Sequence, residues 1–207
     1  MIDLQIIDVE QGTPEWFAAR LGIPTASMFD TVMAKGRGGG ESKTRRTYLL
    51  KLAGERITGQ PQESYSNAHM ERGKEMEAEA RELYALVSGN NPELVGFMRR
   101  GKAGASPDAV IGDDGLLEIK TKLPSLQIEV LLANRLPPEH EAQVHGQLWV
   151  SGRSWCDFVS YWPGLPIFIH RVERDERRIA EIAVAVEQFN QELEAVLAQL
   201  AAFRSAA

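Results

Sequence analysis

Two short apolar runs, residues 109–111 and 116–121, flank Gly112-Asp113-Asp114-Gly115, and no other stretch constrains the fold as tightly. Runs of this length rich in aliphatic residues read as strands, and a Gly/Asp cluster between them reads as a hairpin turn. Two consequences follow from the pairing. Alternation along a strand places Glu118 and Lys120 on one face and Leu117 and Ile119 on the other. The turn brings Asp108, at the start of the first run, beside Glu118 on the second.

The remaining segments alternate between the two periodicities. Residues 2–10 read as a short strand. Thr13-Pro14-Glu15 opens a helix that runs through Trp16 and Arg20 to Gly22, with Thr13 as cap and Pro14 at the first helical position. A second short helix begins at Thr25 or Ser27. Residues 44–57 read as a helix with Tyr48, Leu49, Leu52, Ala53 and Arg56 spaced for one face, and residues 68–87 as another. Residues 94–98 look like a strand. After a proline-flanked loop, residues 139–150 read as a helix, 155–162 and 166–172 as strands, and 176–203 as a last helix. Its apolar stripe, from Ile179 through Leu193 to Leu200, fits a core face better than a partner surface. Strands interspersed with helices, with no repeat and no break in composition, describe one mixed α/β (α+β) domain over residues 1–207. A central mixed sheet flanked by helices is expected, with the site at one sheet edge.

A chain of 207 residues, 43% of them hydrophobic, can bury a core without disulfides, and its single cysteine, Cys156, cannot form an internal one. A reducing, cytoplasmic setting is therefore expected. No stretch approaches the ~18–20 apolar residues of a membrane-spanning helix, and residues 1–10 lack the pattern of a signal peptide. The net charge of −6 opposes nucleic-acid binding only as a global sum, because binding depends on the local field. Acids crowd the C-terminal third and residues 71–82. Cations collect at Lys35, Arg37, Lys43, Arg45 and Arg46, and again at Arg99, Arg100 and Lys102, which permits a basic groove on an acidic protein. Gly36-Arg37-Gly38-Gly39-Gly40 cannot hold regular structure; a connector and a loop that orders on DNA are both open readings.

Chemistry concentrates at Ser106-Pro107-Asp108 and Glu118-Ile119-Lys120. Two crowded carboxylates favour a divalent cation, since binding it relieves their repulsion. An ammonium beside such a site can orient an attacking water and offset charge that develops on a phosphate. Glu-x-Lys alone is more often an exposed strand face with an incidental ion pair. Here Leu117 and Ile119 point to the core, so the Glu/Lys face is expected to be solvated beside a Pro-Asp turn. Elsewhere the plainer readings hold. His140 and His145 are five apart and fall on different helix faces, which argues against zinc. Cys156 reads as a small core residue. Of Trp16, Trp149, Trp155 and Trp162, three lie in amphipathic elements and read as core, while Tyr65 and Met70 are better placed to touch an unwinding DNA end.

Asp108 with Glu118-Ile119-Lys120 matches the Asp…(Asp/Glu)-x-Lys signature of the PD-(D/E)xK nucleases, and the chain resembles the phage λ exonuclease and YqaJ-type recombinase nucleases among them. The resemblance rests on four blocks in order over residues 9–175: Glu10-Gln11-Gly12 with Trp16, Arg20-Leu21-Gly22 and Thr25-Ala26-Ser27; Arg72-Gly73-Lys74 with Glu77 and Ala80-Arg81; the Asp108 and Glu118–Lys120 segment; and Ala142-Gln143-Val144 with Trp149-Val150. It implies a restriction-endonuclease-like core in which Asp108, Glu118 and the Ile119 carbonyl bind metal, Lys120 positions water, and Glu77 completes the site from a helix. It also implies that Arg20, Ser27, Ser106 and Gln143 form a pocket for a 5′-phosphate. Without the resemblance, Ser27 reads as a helix cap and Gln143 as a surface amide. The implied activity is Mg2+-dependent (or Mn2+-dependent) 5′-to-3′ digestion of one strand of double-stranded DNA from its ends, leaving 3′ overhangs. A homotrimeric ring and a single-strand annealing recombinase as partner are further implications, as is a phage or prophage origin. A restriction-type endonuclease and a non-catalytic DNA-binding or assembly module are the alternatives.

Overall fold

The chain opens on β1 (Leu4–Ile7), and Thr13 then caps α1 (Pro14–Ala19), its hydroxyl accepting from the Trp16 N–H as its place before Pro14 predicts. A 3-10 turn (Ala26–Met28) leads into α2 (Phe29–Met33). Ser42 caps α3 (Lys43–Thr58), and α4 (Ala68–Ser88) follows. Four short strands come next: β2 (Pro92–Glu93), β3 (Phe97–Arg100), β4 (Ala103–Ala105) and β5 (Ala109–Ile111). The second half carries β6 (Gly115–Thr121), α5 (Pro124–Ala133), α6 (Glu141–Ser151), β7 (Trp155–Tyr161), β8 (Phe168–Glu173) and α7 (Glu176–Ser205). This is a computed structural model, and it describes residues 3–36, 38, 40–62 and 68–205.

The strands form two sheets. One has five strands in the order β2-β5-β6-β7-β8, and the other has three in the order β1-β3-β4. The predicted hairpin is present: β5 and β6 run antiparallel with Ala109 opposite Leu117. β6 and β7 are parallel, with Glu118 opposite Phe158, and the connection between them carries α5 and α6. The larger sheet is therefore mixed, as expected. β6 lies at its centre, and on one face Leu117, Ile119 and Val159 pack with Ala80 and Tyr84 of α4. On the other, Leu116 and Phe158 pack with Val144 and Leu148 of α6. A separate core joins α2, α3 and α7 through Phe29, Leu49, Leu52, Phe189 and Leu193.

Four elements differ from the sequence reading, the first being the two-residue β2, which pairs with β5 where a break in regular structure was expected. The strand expected over residues 94–98 starts only at Phe97, because the chain crosses β1 closely at Gly96, where an added Cβ would lie 2.4 Å from the Ile7 carbonyl oxygen. β4 was not expected at all. The proline-flanked loop contains α5, which starts with Pro124 in its first turn and ends at Asn134 in the left-handed conformation. Among the described residues no helix is long and apolar enough to cross a membrane.

Candidate active site

β6, the middle strand of the larger sheet, carries the centre of the site, which therefore does not lie at a sheet edge as expected. The hairpin ladder continues one step past β5, with the Asp108 N–H donating to the Leu117 carbonyl at 3.1 Å. This puts the Asp108 side chain where its Oδ2 accepts from the Ile119 N–H at 2.5 Å. Glu118 is only 2% exposed, and both its oxygens are engaged. Lys120 Nζ lies 2.6 Å from Oε1, Gln143 Nε2 donates to Oε1 at 2.5 Å, and Gln147 Nε2 donates to Oε2 at 2.6 Å. The solvated Glu/Lys face expected from the sequence is thus a covered one. A central strand is hidden on both faces, and α6 returns across this one to lay two amides on the carboxylate.

Burial, then the nearby Glu118 and Glu77, hold the Asp108 carboxyl well above the usual carboxylate range, against the opposing pull of Lys120 and the Ile119 N–H. Burial alone would pull Lys120 down, but Glu118, Asp108 and Glu77 together outweigh it and raise its pKa. Glu77 of α4 therefore belongs to the same cluster, and Arg81, one turn on, lies 3.5 Å from it. The structure thus gathers Asp108, Glu118, Lys120 and Glu77. Among the described residues no three His, Cys, Asp or Glu side chains already stand as a ready-made coordination group.

A cavity of about 1140 Å³ is lined both by Asp108, Glu77 and Arg81 and by Trp16, Arg20, Thr25 and Ser27. The Arg20 guanidinium lies over the Trp16 ring at 4.0 Å and donates to Thr25 Oγ1 at 3.1 Å. Thr25 Oγ1 is 3.3 Å from Ser27 Oγ, and Trp16 Nε1 donates to Ser106 Oγ at 3.0 Å. Arg20, Ser27 and Ser106 are thereby joined through Thr25 and Trp16. Gln143 is not in this group, since its amide rests on Glu118. Gln147 was not named from the sequence, and Trp16 and Thr25, though part of the first matching block, were given no role in the site. A signal existed for two of them: Trp16 lies four before Arg20, and Gln147 four after Gln143, so each pair shares a helix face.

A family model described as the YqaJ-like viral recombinase domain matches residues 15–154. The chain belongs to this family. Among solved structures, the YqaJ-like chain is similar to an alkaline exonuclease (LHK-Exo) from Laribacter hongkongensis, with 39% identity and a TM-score of 0.85 over 94% of this chain and 99% of that one. The same relative has been solved in complex with dAMP, at the same identity and coverage. A phage-related exonuclease from Haemophilus somnus 129PT shares the fold at 14% identity, with a TM-score of 0.65 over 86% of this chain and 96% of that one. Comparison with curated proteins returned no match.

Several other residues have plain positions. His140 stacks on Phe158 at 5.1 Å and its Nε2 lies 3.1 Å from Lys122 Nζ; burial, with Lys122 and Lys120 nearby, lowers its pKa to about 4. His145 is buried on α6, and burial lowers its pKa as well. Cys156 is buried in β7, and burial pushes its thiol well up. None of the four tryptophans is fully buried. Tyr65, the Met70 side chain and Arg37 lie outside the described residues. Of the cations expected to line a groove, Arg45 makes two contacts with Glu192 at 2.6 and 2.8 Å, and Lys102 reaches Glu194 at 2.7 Å.

Proposed function

We propose that this chain is a 5′-to-3′ exonuclease that digests one strand of linear double-stranded DNA, using Asp108, Glu118, Lys120 and Glu77 as its catalytic group. One observation carries the reading: a single cavity is lined both by the Asp108/Glu77 cluster and by Arg20 and Ser27. A terminal phosphate bound at the second set places the following phosphodiester at the first. Membership of a viral recombinase family and 39% identity to an alkaline exonuclease support nuclease activity on DNA.

Arg20 offers a planar fork to the 5′-phosphate, and Ser27 and Ser106 add neutral donors. Trp16 holds the guanidinium in place from below. Gln143 reaches the same phosphate by leaving Glu118. Water, oriented by Lys120, adds to phosphorus at the first internal phosphodiester. The bond from phosphorus to the terminal nucleotide's 3′ oxygen breaks, and that oxygen leaves with a proton. A nucleoside 5′-monophosphate departs, and the shortened strand keeps a 5′-phosphate for the next cycle. Such a mononucleotide is what dAMP is in the complex of the Laribacter relative.

The donor set suits a hard divalent cation, Mg2+ or Mn2+. Asp108 and Glu118 supply carboxylate oxygens, with Ile119 adding its carbonyl, and the crowding that raises Asp108 is the kind a cation relieves. Such a cation would supply Lewis-acid activation at the scissile phosphate. We extend the proposal to a single domain assembled as a homotrimeric ring in the host cytoplasm. Its product would be a 3′ overhang handed to a single-strand annealing recombinase.

The test is digestion of linear duplexes bearing 5′-phosphate or 5′-hydroxyl ends, with closed circles alongside and the cation present or chelated. Cation-dependent loss from phosphorylated ends, with circles spared and Lys120→Ala inactive but still binding DNA, is expected. Cutting of circles would make the protein an endonuclease, and no cutting at all would favour the binding module.

A further inference from the structure

Both oxygens of Glu118 are held from one helix, and the two amides that hold them are not equivalent. Gln143 is half-buried and shares Oε1 with Lys120. Gln147, one turn further along α6, is 1% exposed and, among the described residues, is the one donor to Oε2, at 2.6 Å. Its own Oε1 is buried with no hydrogen-bond partner among the described residues. A buried acceptor left unsatisfied costs free energy, so an apolar side chain would suit this position better if packing were its sole task. The depth of α6 is set by Gly146, where an added Cβ would lie 2.3 Å from Phe29 Cδ2 and 3.4 Å from Ala26 Cβ. Val144, Leu148 and Val150 on the same helix are fully buried. The helix therefore has no room to carry Gln147 away from Glu118.

We propose that Gln147 is a positioning residue that keeps the Glu118 carboxylate oriented for a divalent cation while Gln143 is free to exchange onto substrate. The inference rests on the role given to Glu118 above. A glutamate side chain has several rotatable bonds, and a donor that substrate cannot reach fixes its carboxylate plane before either cation or DNA arrives. Gln143 and Gln147 then divide the work: the accessible amide answers to DNA, and the sealed one answers to the cation. Outer partners of metal-binding carboxylates and imidazoles typically change metal affinity about 10–100-fold when removed.

The experiment is Mn2+ binding to the metal-free protein, read by electron paramagnetic resonance without DNA, followed by steady-state digestion. Gln147→Met keeps the length and shape of the side chain and removes the donor; Gln147→Ala is the second variant should the first misfold. Gln147→Met is expected to weaken Mn2+ binding about 10–100-fold with KM for DNA unchanged. Gln143→Met is expected to raise KM for phosphorylated ends and to alter Mn2+ binding much less. Wild-type Mn2+ affinity in a folded Gln147 variant, or equal Mn2+ effects from the two glutamines, would overturn the proposal. Glu118→Gln separates this from the underlying reading. If that variant also binds Mn2+ normally, Glu118 is no ligand and both ideas fall. If it loses the ion while Gln147→Met keeps it, only the positioning role falls.

Discussion

Asp108→Asn should stabilise the metal-free protein while abolishing its activity. The cluster holds three carboxylates, Glu77, Asp108 and Glu118, against Lys120 and Arg81. Removing the Asp108 charge leaves two acids facing two cations. Asparagine keeps an oxygen for the Ile119 N–H, so the hydrogen bond at 2.5 Å has a neutral replacement. A single stabilising substitution, charge optimisation included, commonly contributes about 0.5–2 kcal/mol. At roughly 2–4 °C per kcal/mol for a chain of this size, Tm should rise by about 1–8 °C.

The pH dependence follows from the direction of the shift. Burial, Glu118 and Glu77 raise the folded-state pKa above the ordinary 3.8, so the folded protein binds this proton more tightly than the unfolded chain. The resulting stability is fully present below that ordinary value and is lost as pH rises through the folded-state value. Melts in chelator should therefore converge for wild type and variant at acid pH and separate in the variant's favour as pH rises. Excess divalent cation should reverse the order, since a ligand at a hundred times its Kd stabilises by about 2.7 kcal/mol. A variant that melts below wild type in chelator at pH 8, or a gap that widens toward acid, would refute the crowding argument.

Arg20→Ala should raise KM for 5′-phosphorylated ends by about 10–100-fold, from a charge-assisted bond of about 1.5–3 kcal/mol, and leave 5′-hydroxyl ends unaffected. Tyr84→Phe removes a hydroxyl that donates to Asp157 Oδ2 at 2.7 Å and accepts from Asn90 at 2.7 Å, on the sheet face away from Glu118. Thermal melts should show a loss of about 1–2 kcal/mol with digestion unchanged. Gly146→Ala should cost about 1–3 kcal/mol by overpacking, and it should reduce digestion as well, because α6 carries Gln143 and Gln147.

The parts of the fold legible in the sequence are those whose cause is local. Thr13 before Pro14 marks a helix start, and Gly112-Asp113-Asp114-Gly115 marks a turn, whatever packs on them later. The stripe on α7 is also legible because period and burial agree: Ile179, Ile182, Val186, Phe189 and Leu193 are all buried. In α5 they disagree. Leu126, Ile128 and Leu132 are exposed, while the polar Gln127 is fully buried and donates to the Ser160 and Pro166 carbonyls. No amphipathic pattern could reveal that helix. β4 is Ala103-Gly104-Ala105, too short and small to carry a pattern; its glycine is needed because an added Cβ would lie 2.1 Å from Phe97 Cζ. The candidate site divides along the same line. Asp108, Glu118 and Lys120 are neighbours through one hairpin, so local spacing places them. The burial of Glu118 depends on α6, which joins it only when the chain returns across the sheet.

The same long-range pairing changes how an acidic protein can hold DNA. Arg45, Arg56 and Lys102 all meet carboxylates of α7, with Arg56 and Lys102 sharing Glu194 at 2.8 and 2.7 Å. These exposed pairs are individually weak, yet they reduce the field those cations would project into a groove. Cations lining the cavity have acids beside them too: Lys51 is 3.8 Å from Glu55, and Arg81 is 3.5 Å from Glu77. Arg20 differs, since its closest polar partner is the neutral Thr25 and its flat face is against Trp16. Of the cations in the cavity it has the charge least compensated by direct contact. Attraction of a DNA end therefore depends on where positive charge is left unpaired rather than on the net charge of −6. That favours Arg20 for the end-anchoring role proposed above over the more numerous cations expected to form a basic groove.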